Sequence, residues 1–112
     1  MSFTQKELLK GTLGPIILNL LTEHKKMYGY EITQHIKELS AGKILIKEGS
    51  LYPALHKLES AEFISSYWQT QPNGRDRRYY SIQPAGTAFL EAKKKEWSRF
   101  VAMVDGFVGP RG

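Results

Sequence analysis

KEGSLYPALHKLE, residues 47–59, and GRDRRYY, residues 74–80, decide how this chain folds. In the first stretch Leu51, Leu55 and Leu58 recur at helical spacing, so one face is apolar and Ser50, Tyr52, His56 and Lys57 are left on the others. Hydroxyl, phenol, imidazole and ammonium groups on one exposed helix suit the base edges and backbone of a DNA major groove. In the second stretch three arginines flank a glycine turn and run at once into a strand-forming Tyr-Tyr pair, which places the charge on the tip of a β-hairpin. A recognition helix followed by a basic wing is the expected order.

Toward the amino end, Thr4-Gln5-Lys6-Glu7 fits a capping box, in which hydroxyl and carboxylate reciprocally satisfy free amides at a helix start. Leu9, Leu13, Ile16, Ile17, Leu20 and Leu21 continue the apolar side of that helix, and Pro15 is expected to bend or divide it near Gly11 to Gly14. It should end near His24-Lys25-Lys26, where positive charge suits a helix carboxyl end. Tyr28-Gly29-Tyr30 punctuates, and a shorter helix from Glu31 to Leu39 turns Ile32, Ile36 and Leu39 inward. Ser40-Ala41-Gly42 breaks it, and Lys43 to Ile46 is an extended link. The next helix opens either at Glu48 or with Ser50 as its cap; in the second case Pro53 falls in the first turn, where its missing N–H matters least.

Toward the carboxyl end, residues Phe63 to Gln71 and Arg77 to Gln83 alternate as two strands around a turn-rich Gln71-Pro72-Asn73-Gly74-Arg75. Pro84-Ala85-Gly86 restarts the chain as a long helix with two adjacent apolar stripes. Phe89, Phe100, Met103 and Phe107 form one; Leu90, Trp97, Val101, Val104 and Val108 form the other. Two stripes exceed what one small domain covers. The expected fold is therefore mainly α with a two-stranded β-hairpin. It comprises a winged helix-turn-helix DNA-binding domain over residues 1–83, a dimerisation helix over 84–108 and a short flexible end at 109–112.

Composition narrows the function classes. The chain has 112 residues, enough for one modest core and no separate catalytic domain. Lys and Arg number 16 against 11 Asp and Glu, a net charge of +5 that favours a polyanionic partner. No cysteine is present, which removes disulfides, thiolate nucleophiles and cysteine-based zinc sites and is compatible with the cytosol. The apolar run Leu13 to Leu21 is too short to span a bilayer, is interrupted by Pro15 and Asn19, and lacks a small-residue cleavage site after it. His24, His35 and His56 are scattered, and no phosphate-cradling glycine loop occurs. Glu31 and His35 lie at i, i+4, a spacing far more often a surface pair than a metal site. Neither an enzyme nor a cofactor is expected.

Tyr28-Gly29-Tyr30-Glu31-Ile32, Glu48-Gly49-Ser50-Leu51-Tyr52-Pro53-Ala54-Leu55, Leu58-Glu59, Gly74-Arg75 with Arg78-Tyr79-Tyr80, and Gly86 closely resemble the PadR family of bacterial transcriptional regulators, in order and spacing, over nearly the whole chain. The resemblance implies a dimeric DNA-binding repressor, paired through its last and first helices, that answers to small aromatic or toxic compounds. Ile64 to Trp68 and Trp97-Ser98-Arg99 further resemble the short-tailed branch typified by the lactococcal multidrug-resistance repressor. That likeness implies a ligand site in which Trp97 of each subunit stacks on a flat drug, with Leu8, Phe89, Lys93, Phe100 and Val101 around it. Phe89 and Lys93 depart from the smaller or neutral residues of that branch. Glu62 stands where a glycine is usual, and Gln83 where a threonine cap is usual.

Ser50, Tyr52, Pro53, His56, Lys57, Arg75, Arg77 and Arg78 are thus the candidate DNA contacts. Tyr52 either meets sugar, phosphate or thymine methyl, or anchors its helix internally. Strand alternation sends Arg77 and Arg78 to opposite faces, so Arg75 and one neighbour are expected at phosphate or the minor groove. Trp97 serves dimer packing or a ligand. The expected partners are a palindromic double-stranded operator, a second copy of the chain and a planar aromatic molecule, with no membrane and a cytoplasmic, nucleoid-associated location. A winged-helix module that binds protein through its long helix is the rival reading.

Overall fold

Gly11 adopts φ +81°, a left-handed turn that suits glycine, and helix α1 (Leu13–His24) begins two residues later. The structure, a computed structural model, describes residues 11–109, so the capping box at Thr4 to Glu7 and the candidate ligand residue Leu8 lie outside the described residues. Pro15 falls in the first turn of α1, where a missing N–H has no intrahelical acceptor to lose. Within the described helix it is therefore a starter rather than a kink. Leu13, Ile17, Leu18, Leu20 and Leu21 bury the inner side of α1.

Lys25, at φ +66°, turns the chain sharply, and the next three residues form a strand, β1 (Lys26–Tyr28). This adds a third strand to the expected two-stranded hairpin, which is present. Lys26, Met27 and Tyr28 pair antiparallel with Ser81, Tyr80 and Tyr79, making a three-stranded sheet of order β1-β3-β2 with β2 (Ile64–Thr70) and β3 (Asp76–Ile82). Met27 is buried in the core while Lys26 is exposed. Helix α2 starts at Gly29, not Glu31, and ends at Leu39, because the Glu31 carboxylate reaches back to accept the Tyr28 N–H at 3.1 Å. Ile32 and Ile36 are buried as expected, but Leu39 is 75% exposed. It occupies the last turn of α2, beside an open groove with Ile16, Leu20, Leu90 and Trp97.

Helix α3 (Glu48–Ser60) resolves the two possible starts in favour of Glu48, which puts Pro53 inside the helix and removes the N–H that would reach the Gly49 carbonyl. Leu51, Leu55 and Leu58 are buried. At its carboxyl end Phe63 N–H bonds Leu58 O and Glu62 N–H bonds Glu59 O, both at 2.9 Å, the paired bonds of a Schellman ending. Glu62 therefore sits at φ +62°, where a glycine is preferred. Glu62→Gly is expected to raise stability by about 0.5–1 kcal/mol, measured by urea unfolding; no gain, or a loss, would contradict this account of the ending.

The hairpin holds its register from Ile64↔Ile82 to Thr70↔Asp76 and turns through Gly74 at φ +85°. Pro84 then opens α4 (Pro84–Val108), a helix of 25 residues. Its first turns belong to the core, with Gly86 and Leu90 buried and Phe89 stacked on Phe63 at 4.7 Å. The remainder extends away, giving a molecule 59 × 30 × 22 Å. The architecture is that of a mainly helical winged helix-turn-helix with a long carboxyl-terminal helix.

Candidate nucleic-acid interface

Burying the leucine stripe of α3 leaves Ser50, Tyr52, Pro53, His56 and Lys57 together on its outer side, all exposed. Tyr52, 46% exposed, serves two purposes. Its hydroxyl lies against Gly29 so closely that a Cβ there would sit 2.7 Å from the oxygen, which ties α3 to the start of α2. The open remainder of the ring stays on the helix surface. Glycine at position 29 is thus a packing requirement for Tyr52.

The three wing arginines are held in three different ways. Arg75 lies exposed at the hairpin tip, its backbone N–H donating to Asn73 Oδ1 at 3.0 Å, and its side chain has no ion pair among the described residues. As alternation requires, Arg77 and Arg78 point to opposite faces of β3. The Arg77 guanidinium lies 4.3 Å from the Tyr28 ring centroid and donates from Nη1 to Gln71 Oε1 at 3.3 Å. Arg78 faces α3. Its Nη2 donates to Glu59 Oε1 and its Nε to Ser66 Oγ, both at 2.9 Å, and Ser66 Oγ donates to Glu59 Oε2 at 2.6 Å. Of the three wing arginines, only Arg75 therefore offers a guanidinium not already engaged among the described residues.

Between the wing and α3 lies a cleft of about 350 Å³ lined by aromatic and basic groups, among them Tyr28, Tyr30, Tyr52, Trp68, Arg77 and Arg78. Exposed Tyr30 and Trp68 were absent from the sequence-based candidates. Trp68 pairs across the hairpin with Arg78, a relation visible only once the strand register is set. On the outer sheet face Tyr28, Tyr79 and Tyr67 stand in one row across the three strands, with the Lys26 ammonium 5.1 Å from the Tyr79 centroid. Burial pushes the Tyr80 phenol above its ordinary pKa of 10.0, against an opposing effect of Arg78, so Tyr80 stays neutral beside Glu59.

Trp97 stands apart from this surface. It lines a groove of about 760 Å³ with Ile16, Leu20, Leu39, Leu90 and Lys94, between α1, the end of α2 and α4. Val101 follows one turn on, on the same side of the helix. Phe100 is exposed on an adjacent side, whereas Phe89 is engaged with Phe63 two turns earlier. Lys93 lies over Phe89 and pairs with Glu96 at 3.4 Å. Neither Phe89 nor Lys93 lines the groove at Trp97. The His24 and His35 rings meet at a tilt of 39° with centroids 4.4 Å apart, and no group of three or more His, Asp or Glu side chains suited to a metal ion occurs among the described residues. No described helix is long and apolar enough to cross a membrane.

Residues 17–92 match the model of the transcriptional regulator PadR-like family. A relative of uncharacterised role, protein X of Lysinibacillus sphaericus, is 36% identical over 104 residues, 93% of this chain and 94% of that protein. Among solved structures, a transcriptional regulator from Clostridium thermocellum superposes with a TM-score of 0.81 at 34% identity, covering 91% of this chain and 98% of that one. A PadR family regulator from Clostridium difficile gives a TM-score of 0.67 at 39% identity, covering 83% and 93%. The exposed polar face of α3, the wing beside it and these likenesses lead to one conclusion: the chain belongs to the PadR-like family of transcriptional regulators, and is a DNA-binding regulator rather than an enzyme.

Proposed function

We propose that the chain works as a homodimeric repressor of a transporter or detoxification gene, holding a palindromic operator with one α3 and one wing per half-site. The observation that carries the DNA reading is the exposed cluster Ser50, Tyr52, His56 and Lys57 beside a wing tipped by Arg75, whose side chain has no ion pair among the described residues. Base choice comes from the α3 side chains, and Arg75 adds phosphate affinity and salt dependence. Pro53 contributes apolar surface to the same face. A Tyr52→Ala, Lys57→Ala double variant should lose about 2–4 kcal/mol of discrimination between operator and unrelated DNA, read by competition gel shift. Retained discrimination in that variant would count against α3 as the reading helix.

Support for a dimer comes from α4, where Phe100, Val101, Met103, Phe107 and Val108 are all more than half exposed in the single chain. Helices from residue 84 onward, paired about a two-fold axis, would cover these side chains and set the recognition helices roughly 34 Å apart. The operator places the protein in the cytoplasm, on the nucleoid. Release by a flat aromatic compound, as in the drug-binding branch, is supported by Trp97 at the edge of an apolar groove that pairing would extend. Such a compound should quench tryptophan fluorescence in the wild type but not in Trp97→Phe, which keeps Trp68 as an internal control; equal quenching in both would remove Trp97 from the site.

A further inference from the structure

We infer that Arg78 is a positioning residue and not a phosphate contact: with Glu59 and Ser66 it locks the wing to the recognition helix at one angle, and that angle governs operator affinity. The inference rests on the DNA-binding reading above. Three hydrogen bonds close a ring of three side chains. Arg78 Nη2 reaches Glu59 Oε1, Ser66 Oγ reaches Glu59 Oε2, and Arg78 Nε reaches Ser66 Oγ, at 2.9, 2.6 and 2.9 Å. Glu59 comes from the last turns of α3, Ser66 from β2 and Arg78 from β3, so the ring spans every element that has to act together on DNA. The guanidinium is further flanked by Trp68 and Tyr80, with centroids at 5.8 and 5.6 Å.

Two physical considerations assign the role. The Arg78 and Glu59 side chains are 41% and 30% exposed, and an ion pair so open to water adds little to folding stability. Its effect is therefore on geometry. The hairpin is anchored in the core at Ile64, Tyr80 and Ile82, while its distal half projects free, and the ring grips it between those two parts. In addition, a carboxylate beside a DNA-facing helix repels phosphate unless neutralised, and the Arg78 charge is already used on Glu59. A planar fork that bonds two acceptors at once is a task for arginine, and lysine does not reproduce it.

The test uses the duplex that the wild-type chain recovers from a random-sequence pool, with affinity followed over a series of salt concentrations. Glu59→Gln and Arg78→Lys should each weaken binding by about tenfold, and Arg78→Ala should leave the salt slope within about half a unit of wild type, whereas Arg75→Ala should lower it by about 0.9. Melting temperatures of these variants should stay within about 5 °C of wild type. Tighter binding by Glu59→Gln, wild-type binding by Arg78→Lys, or a slope lowered by about 0.9 in Arg78→Ala would each make Arg78 a phosphate contact and overturn the inference. A melting temperature lowered well beyond that range would replace the geometric role with a structural one and overturn it equally. Failure of the wild type to recover any duplex would instead defeat the DNA reading itself.

Discussion

A chain carrying Phe100→Glu together with Phe107→Glu is expected to elute as a monomer and to bind its operator at least ~100-fold more weakly than wild type. The two residues lie two turns apart on the same side of α4 and are 59% and 82% exposed in the single chain. Replacing them therefore removes nothing from the core of the winged domain, and its melting should be preserved when monomer is compared with monomer. In a two-fold pair they would be covered, and a carboxylate there would be desolvated without a partner. Losing the pair leaves one half-site to hold the DNA, and the avidity of two linked sites, on the order of 10²–10⁴, is forfeited. Size-exclusion chromatography with light scattering and a gel shift at fixed salt report both effects. An unchanged dimer with unchanged affinity would exclude this side of α4 as the interface.

The second large effect is on folding. Gly86→Ala should destabilise the protein by about 2–3 kcal/mol, lowering the melting temperature by on the order of 10–20 °C. A Cβ at Gly86 would stand 2.2 Å from the Phe63 carbonyl oxygen and 3.0 Å from Ile82 Cγ1. The obstacle is backbone, so no side-chain rotation relieves it. That carbonyl also accepts the Gln83 N–H at 2.9 Å, so moving α4 aside breaks the bond that joins the end of the sheet to the turn after α3. Gly29→Ala is a useful contrast. There the nearest atom is the hydroxyl of Tyr52, the far end of a side chain, which can swing out at the expense of its packing on α2. A melting temperature for Gly86→Ala within a few degrees of wild type would show that the close approach is not required.

The helices were legible because each buries a stripe of apolar residues that repeats at their own period. Leu51, Leu55 and Leu58 needed nothing beyond their spacing, and the polar side of α3 followed by subtraction. Strand β1 had no such signature. Three residues cannot display an alternation, and Lys26 to Tyr28 become a strand only because β3 offers them an edge. Leu39 misled for the opposite reason: it keeps the helical spacing of Ile32 and Ile36 but lies in the last turn of α2, where the groove beside it is open. In the wing, alternation separated Arg77 from Arg78 correctly. The identity of their partners was beyond local pattern, since Glu59 lies 19 residues before Arg78 and meets it only through the hairpin fold. Glu62, noted as a departure from glycine, proves to occupy the left-handed position that gives glycine its advantage.

In the proposed complex α3 reads DNA sequence while the wing holds the backbone. The most direct test of that division is the ratio of affinities for the recovered duplex and a scrambled duplex of equal length, measured by fluorescence anisotropy at one near-physiological salt concentration. A sequence-reading dimer should prefer its own duplex by at least ~10³, and protection from cleavage should fall in two patches about 10 base pairs apart. Equal affinity for both duplexes, with no defined protection, would contradict the account.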